Sequence, residues 1–167
     1  IDWLMEQSCS LKRVHMGFFG GEPFLKFPLM KSIVVQAQRK AEAVNKRISF
    51  HVTTNATLLD DEQIEFVQAH GIRVMVSFDG TKALQDTQRP YAGGKGSYDS
   101  TLPRIRKLLA RVPGTPGHAV IVGDTDPQLV KDAMCEIGFT QVTVTHTSPS
   151  LFEKSAPKEK PWRNIGK

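Results

Sequence analysis

Hydrophobic and polar positions alternate in five short β-rich runs, near 14–19, 48–54, 72–78, 118–122 and 140–145. Between them the apolar residues recur at helical spacing. Over Phe27 to Asn45 the stripe is Leu29, Ile33, Val34, Ala37, Ala41 and Val44. Over Asp60 to His70 it is Ile64, Phe66 and Val67, with Gly71 as the stop signal. Two more helices are predicted over Ser97 to Val112 and over Pro127 to Ile137, the last stopped by Gly138.

Strict alternation of strand and helix predicts an α/β fold with parallel strands joined by right-handed crossovers, because an antiparallel pair needs only a tight turn. Within the strands the pattern is two-sided. Ile48, Phe50 and Val52 alternate with His51, Thr53 and Asn55, and Ile72, Val74, Val76 and Phe78 alternate with Met75, Ser77 and Asp79. A doubly wound sheet covered on both faces gives near-continuous apolar strands, whereas a barrel with an occupied lumen keeps one polar face. The pattern therefore favours an open partial barrel over a Rossmann sheet. From Ser148 the chain is rich in proline and charge without a period, which predicts a core over 1–147 and a tail or linker over 148–167.

With 167 residues, 40% hydrophobic and 23% charged, the chain has the composition of one globular domain, and disorder throughout is excluded. No apolar run approaches the roughly 20 residues that span a bilayer, and the N-terminus lacks a signal-peptide pattern, so the expectation is a cytoplasmic protein without a membrane partner. Of the net charge of +5, the segment 153–167 carries +3, and no basic stripe interleaved with aromatics suggests nucleic acid. Cys9 and Cys135 are too few and too distant for a disulfide framework or a self-contained cysteine-ligated cluster; each is expected to be a packing residue, Cys9 alternatively an exposed thiol. The histidines His15, His70, His118 and His146 show no metal-site spacing, no metal ligand is assigned, and His51 alone stands on a polar strand face within reach of a ligand.

The first strand runs into Gly20-Gly21-Glu22-Pro23. Two glycines let a backbone approach a ligand, Pro23 fixes the exit, and Glu22 at the rim suits a positive amino group rather than a phosphate. A Gly-Gly turn with a solvated Glu is the competing reading. Phe18 is expected in the core and Phe19 on a cavity wall, since strand neighbours face opposite ways. The second strand ends in Thr53-Thr54-Asn55-Ala56-Thr57 and the third in Ser77-Phe78-Asp79-Gly80. Ligand sites gather at the C-terminal ends of parallel strands, so three successive polar ends reinforce one another.

Gly20-Gly21-Glu22-Pro23, Thr54-Asn55, Val76-Ser77-Phe78-Asp79-Gly80, Arg89-Pro90 and Gly96-Ser97-Tyr98-Asp99, in this order, resemble the radical S-adenosylmethionine (SAM) superfamily. Within it the likeness is to the peptide- and protein-modifying branch of anaerobic sulfatase-maturases and SPASM-type enzymes. The resemblance implies a partial TIM-type (β/α)6 barrel that binds SAM and a 4Fe-4S cluster and cleaves SAM reductively to a 5'-deoxyadenosyl radical for modification of a peptide or protein. It implies that Gly20, Gly21, Glu22 and Pro23 meet the methionyl amino group, Ser77 the ribose and Arg89 the carboxylate, with Asn55 lining the same cavity; no catalytic residue is assigned. It also implies an electron donor such as flavodoxin or ferredoxin.

The family's CxxxCxxC loop follows the first barrel strand, and both are expected outside this chain, whose cluster ligands are therefore expected outside it too. As it stands the segment is expected to be inactive, with an exposed sheet edge. Ala56 replaces a common glycine, and Gln85-Asp86 replaces a common His-Asp. The alternatives are a non-catalytic half-barrel that binds an adenosyl nucleotide and a peptide-docking module.

Overall fold

In a computed structural model, which describes residues 1–147, five parallel strands form one sheet in the order β1-β2-β3-β4-β5. They are β1 (Arg13–Phe18), β2 (Arg47–Thr54), β3 (Arg73–Ser77), β4 (Gly117–Val122) and β5 (Val142–Thr147). The tail expected over 148–167 lies outside the described residues. A doubly wound sheet reverses its strand order part-way, whereas a barrel wall keeps chain order, so the sequential order bears out the partial barrel.

The helices follow their start and stop signals. Helix α2 (Phe27–Ala43) buries Phe27, Met30, Val34, Ala37 and Ala41 against the sheet. Helix α3 (Asp61–Ala69) begins with a capping box, in which Asp60 accepts from the Glu62 and Gln63 N–H groups and Gln63 Oε1 accepts from the Asp60 N–H. Helix α6 (Pro127–Ile137) is capped by Asp126 and closed by Gly138 at φ +119°, a left-handed position that glycine adopts at little cost. Helix α5 (Tyr98–Arg111) completes the outer layer.

Three elements went beyond the sequence pattern. Helix α1 (Asp2–Gln7) buries only Met5, the short 3-10 turn η1 (Pro23–Lys26) follows β1, and α4 (Lys82–Gln88) lies between the third strand and the helix predicted from Ser97, where the pattern predicts no element. The buried face of α4 carries Gln85, 1% exposed, so no apolar period announces it.

One sheet face packs under the helices. Phe50, Val52, Val74, Val76, Phe78, Ala119 and Ile121 are each 3% exposed or less and join one continuous core. The opposite, inner face carries His15, Ser49, His51, Thr53, Met75, Ser77 and His118, which are half-buried or exposed. Phe18 packs against the core and stacks on Phe50 at 6.3 Å, but Phe19, expected on a cavity wall, stands 80% exposed at the rim. Chain reversal after β1 starts at Gly20, so Phe19 no longer belongs to the strand whose alternation was extrapolated to it. Cys135, expected to pack, is exposed on α6, and Cys9 is an exposed thiol.

Candidate functional site

Glu22 links the ends of β1 and β2. Its Oε1 accepts from the Phe24 N–H at 3.1 Å and the Thr54 hydroxyl at 2.9 Å, and its Oε2 accepts from the Asn55 N–H at 2.8 Å. The first of these bonds caps η1, and the other two cross to the neighbouring strand, so one carboxylate fixes the turn and clamps two strand ends together. Thr54, 1% exposed, in turn accepts from the Ala56 N–H at 3.0 Å. Ala56 holds φ +61°, the left-handed region that favours glycine, which gives a physical reason for a glycine at this place.

The glycines before Glu22 face open space. Gly20 holds φ +134°, and a Cβ added to Gly20 or Gly21 would meet nothing within 4 Å. Their backbone is thus exposed on a turn whose far side is held by a negative charge. Next to it lies a cleft of about 590 Å³ bounded by Glu22, Asn55, Thr57, Gln85, Arg89 and Ser97, among others.

At the end of β3 the chain turns on Asp79, which is 1% exposed. Its Oδ2 accepts from Arg89 Nε at 2.8 Å and Gln88 Nε2 at 3.2 Å, and its Oδ1 accepts from Arg89 Nη2 at 3.1 Å and the Val120 N–H at 3.1 Å. A buried carboxylate is stable only when paired and fully hydrogen-bonded, and Asp79 is both. Gln85 extends the network: its Oε1 accepts from the Asp79 N–H at 3.0 Å and its Nε2 donates to Ser97 Oγ at 2.9 Å. The neighbouring Asp86 is held below the usual carboxylate range by Lys82 and by the Tyr98 N–H. In this way β3, α4, α5 and β4 are tied behind the cleft.

All seven sequence-predicted residues lie on this C-terminal edge: Gly20, Gly21, Glu22 and Pro23 after β1, Asn55 after β2, Ser77 at the end of β3, and Arg89 after α4. The structure brings Glu22, Asn55 and Arg89 to one cleft; Gly20, Gly21, Pro23 and Ser77 do not line it. Several of these residues retain unused polar capacity among the described residues. The Ser77 hydroxyl makes no protein hydrogen bond, Asn55 uses its Oδ1 on Thr57 and leaves its amide NH2 free, and Arg89 leaves Nη1 free. Thr54, Asp79, Gln85 and Gln88 were missed as organisers. Thr54 and Asp79 stand within the quoted motifs, yet Thr-Asn and Asp-Gly also form ordinary turns; Gln85 stands in the pair that replaces a common His-Asp, a mark that says nothing of its partners, and no signal marks Gln88.

The donor set suits a zwitterionic nucleoside of the SAM kind: exposed glycine backbone beside a carboxylate for an ammonium, a guanidinium for a carboxylate, and a hydroxyl and an amide for a ribose. The donor set does not suit an iron-sulfur cluster. Cys9 and Cys135 are the chain's only thiols, and among the described residues no three His, Cys, Asp or Glu side chains converge on a metal position. His15 and His51 do meet, on neighbouring strands, with Nε2 and Nδ1 2.7 Å apart; His70, His118 and His146 also have hydrogen-bond partners. Among the described residues, no helix is long and apolar enough to cross a membrane.

The chain is 35% identical over 102 residues to an uncharacterized protein of Methanocaldococcus jannaschii, which covers 61% of this chain and 34% of that protein. It is 29% identical over 108 residues to a serine-type anaerobic sulfatase-maturating enzyme of Klebsiella aerogenes, covering 64% of this chain and 26% of the enzyme. In fold it matches the solved structure of native anSMEcpe with bound AdoMet at a TM-score of 0.72 and 19% identity, over 86% of this chain and 40% of that one. The chain thus spans about a quarter to a third of the curated relatives it matches. The radical SAM superfamily profile matches residues 3–134, and the chain belongs to that superfamily.

Proposed function

We propose that this chain is the SAM-binding wall of a radical SAM enzyme that modifies a peptide or protein. The observation that carries this reading is the convergence of Glu22, Asn55 and Arg89 on one cleft at the C-terminal edge of a sequentially ordered parallel sheet. Similarity to sulfatase-maturating enzymes, and to a structure of anSMEcpe with bound AdoMet and a Kp18Cys peptide, supports the choice of substrate class.

In this reading the exposed backbone of Gly20 and Gly21 and the Pro23-fixed turn receive the methionyl amino group. The Glu22 carboxylate acts mainly by locking that turn, because three protein donors already engage it. Ser77 and Asn55 offer their free hydrogen-bonding groups to the ribose side. Arg89, oriented by Asp79, has Nη1 left for the SAM carboxylate. Bound SAM would supply the hydrogen-abstracting chemistry; the protein contributes binding, orientation and exclusion of water. Ligands for a cluster would come from outside the described residues, and the partner that supplies the electron would be a donor of the flavodoxin or ferredoxin kind. The segment alone binds but does not cleave SAM.

The test is anaerobic reconstitution of the full-length protein with iron and sulfide, reduction, and chromatographic assay for 5'-deoxyadenosine. Formation of that product from SAM is the expected result. Cluster absorbance without 5'-deoxyadenosine would overturn the enzymatic reading.

A further inference from the structure

The inner face of the sheet is cationic in a way the SAM site does not require. Strands β1, β2 and β3 each begin with an arginine, Arg13, Arg47 and Arg73, and all three are exposed. Strand alternation puts them on the same face as His15 and His51, opposite the buried Val14, Phe50 and Val74. Arg13 pairs in register with Arg47, and His51 with Arg73. None of the five strands among the described residues contains an aspartate or glutamate.

Among the described residues, ion pairs form on the outer surface and not on this face. On the outer surface Lys31, Lys40, Lys82, Lys107 and Arg111 are all paired with carboxylates. Among the described residues Arg13, Arg47 and Arg73 take part in no ion pair. Like charges on directly adjacent strand positions are destabilising. The sheet therefore bears a repulsion that an anion on its inner face would relieve.

His15 and His51 shape the approach. Their rings stack at 4.8 Å, and His15 Nδ1 also meets Ser49 Oγ at 2.8 Å. The His51 ring lies over Gly17, where an added Cβ would come within 2.2 Å of it, so glycine here is what lets the imidazole lie flat on the sheet. With Arg73 and Met75 the two histidines border a cleft of about 740 Å³ toward the N-terminal ends of the strands, well separated in register from the Glu22 turn.

We propose that this inner face receives an acidic residue of the peptide substrate, its carboxylate held by Arg73 and His51 and drawn in by Arg13 and Arg47. The proposal rests on the peptide-modifying reading above and adds the substrate's chemistry. A guanidinium and an imidazole at paired positions of neighbouring strands can each donate to one oxygen of a single carboxylate.

The test compares fluorescein-labelled peptides of about ten residues, Gly-Ser in composition, carrying either two central glutamates or two glutamines. Binding to the full-length protein is followed by fluorescence anisotropy without SAM, so that a failure of SAM binding leaves the comparison readable. The glutamate peptide is expected to bind at least about tenfold more tightly, with the advantage shrinking as salt rises. Arg73→Gln and His51→Gln should each remove most of that advantage while leaving the affinity for SAM unchanged. The rim pair Arg13→Gln and Arg47→Gln, exposed and remote from the core, should reduce its salt-dependent part. Equal binding of the two peptides, or an undiminished preference in Arg73→Gln and in the rim variant, would overturn the proposal.

Discussion

Replacing Glu22 by glutamine changes one oxygen to an amide nitrogen and removes the charge while keeping shape. The carboxylate accepts from Phe24 N–H and Thr54 Oγ1 on one side and from Asn55 N–H on the other. A glutamine can satisfy only one side; on the other, its NH2 would confront a donor. Hydrogen bonds to charged groups contribute roughly 1.5–3 kcal/mol each, and because Glu22 is half-buried, water recovers part of the loss. A destabilisation of about 1.5–2 kcal/mol follows, the lower part of that range. With a urea m-value near ~2 kcal/mol/M, the unfolding midpoint should fall by about 0.7–1 M. The same substitution releases the turn that presents Gly20 and Gly21, so SAM affinity measured by equilibrium dialysis should fall at least about tenfold. A midpoint and a SAM affinity both unchanged in Glu22→Gln would refute the strand-clamp role of the carboxylate.

Three further outcomes are expected. Asp79→Asn should cost about 3 kcal/mol in urea unfolding, the low end for a broken buried pair because Arg89 is 28% exposed. Ala56→Val should cost about 2–4 kcal/mol, by overpacking a fully buried site at φ +61°, whereas Ala56→Gly should be near neutral because relief of the backbone offsets one lost buried methyl. His15 is held below its ordinary value of 6.5 by desolvation first, and then by His51 and Arg73, so the unfolded chain binds its proton more readily than the folded one. Stability should therefore decline as pH falls below about 6.5, and His15→Gln should flatten that part of a pH series of thermal melts.

The fold was largely legible because its core obeys simple alternation: Phe50 and Val52, then Val74, Val76 and Phe78, are the residues the two-sided pattern set apart, and they are the buried ones. Helix α6 followed its written signals at both ends, from Pro127 to Gly138. What escaped notice was held together by polar contacts between residues distant in sequence. Helix α4 hides behind Gln85, whose burial is justified by Asp79 N–H and Ser97 Oγ rather than by apolar packing. Likewise Glu22 was legible as a rim carboxylate, but its bonds to Thr54 and Asn55 depend on strand pairing that no local spacing encodes. The His15 and His51 contact spans 36 residues and arises only from the parallel register of β1 and β2.

The most direct test of where SAM binds is hydrogen-deuterium exchange of the full-length protein with and without SAM. Protection is expected at the C-terminal strand edge, in peptides containing Gly20 to Glu22, Asn55 and Ser77 to Asp79, and not at the strand starts around Arg13, Arg47 and Arg73. Protection confined to the strand starts, or to neither edge while SAM is demonstrably bound, would contradict the assignment.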